Sequence, residues 1–137
     1  MLTYLESRYL LAIYKEGGIS KYVKSSRIAE LFNVKTPTSI FILQGLVLKG
    51  YITYTPRIGV KLTIEGLNYV MNLLHNHRVL ECFLHDILGF TKEEAHEESS
   101  KIDFFISDKF SESLCKLLNT PEYCPCGFKI PHRHLRG

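Results

Sequence analysis

The sequence predicts a mainly α protein: an N-terminal winged helix-turn-helix followed by a helical dimerisation domain. Three observations carry that reading. Apolar residues recur at helical spacing in three short stretches before Gly50, the period changes to two between Tyr51 and Leu62, and three more helical stretches follow Thr63. The expected boundaries are residues 1–63 for the winged module, 64–120 for the helical domain and 121–137 for a tail.

In the first stretch Leu2, Leu5, Tyr9, Leu10, Ile13 and Tyr14 share a helical face until Gly17 and Gly18 stop it. A second helix is expected with Ser25 or Ser26 as its cap, carrying Ile28, Ala29 and Leu31. Asn33 suits a tight turn, and Thr36 can cap a third helix with Pro37 at its first position, where a missing N–H costs nothing. Ile40, Leu43, Leu46 and Val47 carry that helix to Gly50. Residues 51–54 then alternate as a strand, Pro56 and Arg57 turn the chain, and residues 60–62 return to close a wing.

Beyond Thr63 or Ile64 a long helix is expected to reach about Leu88, with Gly89 as its stop. Thr91 and Glu94 have capping-box spacing and open a helix running to about Phe105 or Ile106. A last helix follows Ser107 or Ser111 and ends at Leu118, before Asn119 and Pro121. These three helices have more apolar surface than a winged module can cover, which predicts a homodimer. The tail, PEYCPCGFKIPHRHLRG, has no periodicity and is expected to lie on the body or hang loose.

The net charge of +3 argues only weakly for nucleic acid, but its distribution argues more. The first 61 residues hold nine lysines and arginines against three acids, a net +6, whereas the stretch from Glu81 to Asp108 is acid-rich. No apolar run approaches the ~18 to 20 residues of a membrane span. Glu6 and Arg8 interrupt the one leader-like stretch, so no membrane partner and a cytoplasmic location are expected. The four cysteines do not form a disulfide framework, because Cys82 and Cys115 fall in helical patterns.

The helix opening at Thr36 is the one expected in a major groove of double-stranded DNA. Lys35, Thr36, Thr38 and Ser39 stand at or near its N-terminus, where hydroxyls and free N–H groups meet phosphates and base edges. Gln44 could read an adenine if it faces outward. Phe41 either contacts thymine methyls or packs inward. Lys24 and Arg27 are expected on phosphates, and Arg57 at the wing tip on backbone or in the minor groove.

In HNHRVLECFLHD, His77, Glu81 and His85 stack at i, i+4 and i+8 on one helix face. Imidazole with carboxylate suits manganese, iron, zinc, nickel or cobalt, but one helix face usually supplies two ligands, so a site needs a third from elsewhere. The alternative is an ordinary polar face. In the tail, Cys124, Cys126, His132 and His134 are a candidate zinc set, although C-x-C is tighter than the usual finger spacing. No phosphate-binding loop, nucleophile elbow or H-E-x-x-H is present, and an enzyme is not expected. The rival reading is a winged-helix module that binds protein and not DNA.

The combination of ESRYLLAIY, SSRIAELFNVKTPTS, LKGYITYTPRIGVKLTIEG and HRVLECFLHDILGF, with His96 six residues after Phe90, resembles the diphtheria-toxin-repressor and manganese-transport-regulator family of metal-dependent DNA-binding repressors. The resemblance covers about residues 4–131 and matches the short two-domain form; CPCGFKIP is similar to that family's CPHGxPIP segment. It implies a homodimeric repressor on a palindromic operator, with manganese or iron as corepressor and zinc as the alternative. It implies a metal site at His77, Glu81 and His96. It also implies a second site, whose positions fall here on Arg8, Ser100, Asp103 and Phe104, with Leu11 at a further first-helix position. Only Asp103 among these is a good ligand, so this switch site is expected to be degraded and metal dependence is in doubt. Arg8 could then place its guanidinium where the cation would sit and pair with Asp103.

Overall fold

The computed structural model describes residues 1–132, and the chain divides into two compact units, Met1–Val70 and Met71–Gly137. The first holds α1 (Tyr4–Lys15), α2 (Ser25–Leu31), α3 (Thr36–Leu48), an antiparallel hairpin of β1 (Ile52–Thr55) and β2 (Gly59–Leu62), and the start of α4 (Ile64–Cys82). α1 opens on a capping box formed by Thr3 and Glu6. Thr3 Oγ1 accepts from the Glu6 N–H at 3.1 Å, and Glu6 Oε1 accepts from the Thr3 N–H at 2.9 Å.

Helices α2 and α3 start at residues expected to cap them, so each begins one residue early. Lys24 and Lys35 occupy the cap positions without a side-chain bond, and Ser25 and Thr36 are already helical. Residues 32–35 join the two helices through a 108° bend, with Asn33 at φ 52°, the left-handed region that asparagine tolerates. That angle lies within the range of a DNA-reading helix pair. Tyr9, Leu10, Ile13, Ile28, Leu43, Leu46, Ile52 and Val60 are fully buried beneath this unit, each contributing about 1.5–3 kcal/mol of apolar burial. Tyr9 stacks on Phe32 with ring centroids 4.1 Å apart.

The wing pairs Ile52 with Leu62 and Thr55 with Gly59. A third short segment joins it: Val23 and Val60 exchange both backbone hydrogen bonds at 2.8 Å. Gly59 is required there, since it sits at φ +133° and a Cβ would lie 2.4 Å from the Val23 carbonyl oxygen. Arg57, at φ 69°, makes the wing tip.

In the second unit the helix expected to run regularly to Leu88 does not. After Cys82 it widens into a π-helical turn, Phe83–Ile87, and the Leu88 N–H reaches back to the Phe83 carbonyl at 3.3 Å. Gly89 follows at φ +76° and ends the element. Thr91 and Glu94 form the second capping box and open α5 (Lys92–Ile102), shorter than expected. Ser107, not Ser111, caps α6 (Asp108–Leu117) by accepting from the Phe110 N–H at 3.1 Å.

Val79, Leu80, Cys82, Leu114, Cys115, Cys124 and Ile130 form one core cluster. The tail therefore lies on the body as far as His132, with Tyr123 and Lys129 bridged and Arg78 Nη1 donating to the Lys129 carbonyl at 2.6 Å. No single helix among the described residues is long and apolar enough to cross a membrane.

Candidate metal centre and nucleic-acid interface

Successive turns of α4 place His77 above Glu81, and α5 brings His96 to them. His77 Nε2 lies 3.2 Å from His96 Nδ1 and 3.5 Å from Glu81 Oε1, while His96 Nδ1 lies 3.1 Å from Glu81 Oε2. Three donor atoms of the kinds that bind first-row divalent metals thus converge, two on buried side chains and one on a half-exposed imidazole. Asp103 is fully buried, and its Oδ2 takes the other ring nitrogen of His77, Nδ1, at 3.0 Å. A carboxylate behind a histidine fixes its tautomer and aims the remaining nitrogen, the arrangement found behind metal-ligating imidazoles.

The electrostatics point the same way. Burial alone would push the His77 imidazole down, but hydrogen bonds to Asp103 and Glu81, and their charges, outweigh it and hold it above its ordinary value. Burial alone would raise the Glu81 carboxyl, but His77 and His96 hold it below the usual range. The pocket stabilises positive charge between two buried carboxylates.

The other residues expected near a metal are distributed differently. His85, third in the helical stack, falls within the π-helical turn, and its Nδ1 meets the Phe90 carbonyl at 2.8 Å. Ser100 donates to the His96 carbonyl at 2.9 Å, and Phe104 packs edge-on to Phe105. Arg8 places its guanidinium 4.5 Å over the Tyr4 ring, with Nε donating to Ser7 Oγ at 3.2 Å.

The tail cysteines part company. Cys124 is buried in the core cluster, whereas the exposed Cys126 has its Sγ 3.8 Å from Glu81 Oε2. The expected zinc set of Cys124, Cys126 and His132 is therefore split, with His132 grouped instead with His75 and Cys115; His134 lies outside the described residues. Burial, then the Glu81 charge, pushes the Cys126 thiol up. His132 joins His75 and Cys115 in a second group of donor atoms, all within 4.8 Å of one another. No local spacing could have revealed that group, since its members come from α4, α6 and the tail.

On the winged module, Lys24, Lys35, Thr38, Gln44 and Arg57 are exposed and Thr36 is half-buried. Lys24 and Arg57 line one cleft together with Ser25, Ser26 and Tyr54, a basic groove between the start of α2 and the wing. Arg27 is exposed but engaged, with Nε 2.8 Å from Glu16 and Nη1 3.5 Å from Glu30. Ser39 departs from expectation. It is fully buried, because it shares the inward face of α3 with Leu43 and Leu46, and its hydroxyl points to the Ser25 carbonyl at 3.5 Å. Phe41 is 77% exposed, which settles its direction as outward.

Residues 1–60 match the family model described as iron dependent repressor, N-terminal DNA binding domain, and residues 63–132 match iron dependent repressor, metal binding and dimerisation domain. An uncharacterized HTH-type transcriptional regulator of Methanocaldococcus jannaschii is 32% identical over 111 residues, covering 81% of this chain and 86% of that protein. The iron-dependent repressor IdeR of Mycobacterium tuberculosis is 29% identical over 125 residues, 90% of this chain; the chain spans 54% of that repressor's length. Among solved structures, a hypothetical protein of Sulfolobus solfataricus aligns with a TM-score of 0.82 at 30% identity, over 96% of this chain and all of that one. ScaR with bound Zn2+ aligns with a TM-score of 0.83 at 34% identity, over 93% of this chain and 60% of that one.

Proposed function

From the premise that the chain belongs to the iron-dependent repressor family, we propose that it is a dimeric transcriptional regulator, a repressor on a palindromic operator, that carries a divalent metal at His77, Glu81 and His96. The observation that carries the reading is the convergence of those three donors, backed by Asp103, on a chain whose other unit is a basic winged helix. Relatives in this family are named as iron-dependent repressors, and solved neighbours include a manganese regulator and a zinc-bound form.

The donor set fits such an ion. His77 Nε2, His96 Nδ1 and the Glu81 carboxylate would hold it, with Asp103 orienting His77. Manganese or iron suits the nitrogen and oxygen donors, and the nearby Cys126 thiol gives zinc a further reason to compete. Once bound, the ion supplies a fixed positive charge that holds α5 against α4. The chain's own residues do the reading of DNA: Lys35, Thr36 and Thr38 at the opening of α3, Gln44 farther along it, and Lys24, Arg27 and Arg57 on the phosphates. The positions of the family's second site fall on Arg8, Ser100, Asp103 and Phe104, and Asp103 also bonds His77, so the proposed metal is assigned to the His77 set.

The test is retention of genomic DNA fragments by the purified protein after exhaustive chelation, then with Mn(II), Fe(II) or Zn(II) restored. Binding that returns only with a metal supports the reading. Equal specific binding in chelator would favour an Arg8 and Asp103 charge pair in place of the ion. No retention under any condition, with partner binding that does not weaken with salt, would favour a protein-interaction module.

A further inference from the structure

We infer that His75, Cys115 and His132, with Glu112 beside them, form a second metal site of a different kind, a buried structural zinc site that fastens the tail to α4 and α6. It shares no residue with the centre at His77. His75 and His77 are two residues apart on one helix, so their side chains point to opposite sides.

The donors are placed as zinc needs them. His75, Cys115 and His132 are 0%, 1% and 6% exposed, and their ligand atoms lie within 4.8 Å of one another. His132 Nδ1 is 3.4 Å from Cys115 Sγ. Zn–S and Zn–N bonds of about 2.3 and 2.0–2.1 Å at a tetrahedral angle put two such donors roughly 3.6 Å apart, so this pair needs almost no movement. The Glu112 Oε1 lies 3.8 Å from His75 Nε2, at the partly exposed edge of the group, and offers the fourth ligand.

A carbonyl fixes the tautomer of His132, and a hydroxyl able to accept from His75 Nδ1 suits the same arrangement there. His132 Nε2 donates to the Pro121 carbonyl at 2.7 Å, which leaves the Nδ1 lone pair facing Cys115. His75 Nδ1 meets the buried Ser111 hydroxyl at 2.8 Å, which leaves Nε2 facing the group. Two buried histidines, each with an oxygen on one ring nitrogen, present the other to the group, His132 Nδ1 to the Cys115 thiol and His75 Nε2 on the side of Glu112, and make a built site. One thiolate with two imidazoles selects zinc over manganese or iron, the reverse of the oxygen-bearing set at His77. The competing account is a thiol hydrogen-bonded to an imidazole in an ordinary core.

Cobalt(II) distinguishes the two. The full-length chain carrying Glu81→Gln, His96→Ala and Cys126→Ser, stripped with chelator and titrated with Co(II), should bind one ion per chain. It should show thiolate-to-cobalt charge-transfer absorption and the intense visible bands of a tetrahedral site. Adding His132→Gln, which alters only the tail end of the group, should abolish the charge-transfer band with the helical circular dichroism unchanged. No cobalt, or cobalt without that band, in the folded triple variant overturns the inference. Should the triple variant fail to fold, zinc content answers the question in the zinc-loaded wild-type chain. Two per chain falling to one with His132→Gln supports the second site, and the same content in both overturns it.

Discussion

Asp103 holds His77 from behind, its Oδ2 3.0 Å from Nδ1, so that Nε2 is the nitrogen left to face Glu81 and His96. The carboxylate contributes orientation and basicity to a ligand it never replaces. Asp103→Asn should therefore lower metal affinity at this centre by about 10–100-fold while leaving the ligands in place. Competition with a chromogenic chelator measures it, and an affinity within twofold of wild type would show that His77 needs no such support.

Cys126 sits 3.8 Å from the Glu81 carboxylate without joining the His77 group. A soft donor at that distance should tilt the centre towards zinc. Cys126→Ser is expected to lower zinc affinity by about tenfold and to change manganese affinity little, because sulfur adds affinity for the softer ion. Parallel titrations with the two metals check this; an equal loss for both would mean that the thiol supports the local fold and not the metal.

The groove between α2 and the wing makes a prediction about salt. Lys24→Ala and Arg57→Ala should each weaken DNA binding across all sequences and reduce the slope of log affinity against log salt by about 0.9. Gln44→Ala should instead cost about 1–3 kcal/mol at one base position and leave the slope alone. Fluorescence anisotropy over a range of salt separates the two behaviours. Arg27→Ala should matter less than Lys24→Ala, since Glu16 and Glu30 already occupy its guanidinium.

Glu6 links α1 to the end of α3 by accepting from Lys49 Nζ at 2.7 Å. Burial alone would raise its carboxyl, but the bond to Lys49, the Thr3 N–H and the lysine's charge hold it below the ordinary range. A carboxyl lowered on folding contributes stability above its unfolded value, and loses it as pH falls through the folded value. Glu6→Gln should thus destabilise the winged module by about 1 kcal/mol at neutral pH, a figure discounted for the partial exposure of Lys49. The difference should close as the solution is acidified below pH 4. Urea unfolding of both proteins across that range gives the answer, and a constant gap would place the effect in the helix cap.

Much of this was legible in the chain. Pro37, the change of period after Gly50 and the Thr91 and Glu94 pair marked their elements because each acts through local geometry. Ser39 misled because a hydroxyl near a helix start is equally suited to solvent and to a neighbouring carbonyl; only the positions of Leu43 and Leu46 relative to the core decide. His77 and Glu81 could be paired by spacing, and His96 followed from the family resemblance. The role of Asp103, and the meeting of His75 with Cys115 and His132, depend on how separate segments pack, which no spacing records.

The π-helical turn at Phe83–Ile87 also bears on how this chain tolerates changes of length. It holds more residues per turn than the helix before it. Five residues wound this widely rotate the chain about as far as four in a regular α-helix, so losing one there would let the backbone wind regularly with little change in direction beyond it. The same loss inside α4 would swing everything after it by about 100°. A one-residue deletion between Phe83 and Ile87 should then spare the His77 centre more than one between His77 and Cys82. The stretch before Gly89 carries a residue of slack that α4 lacks.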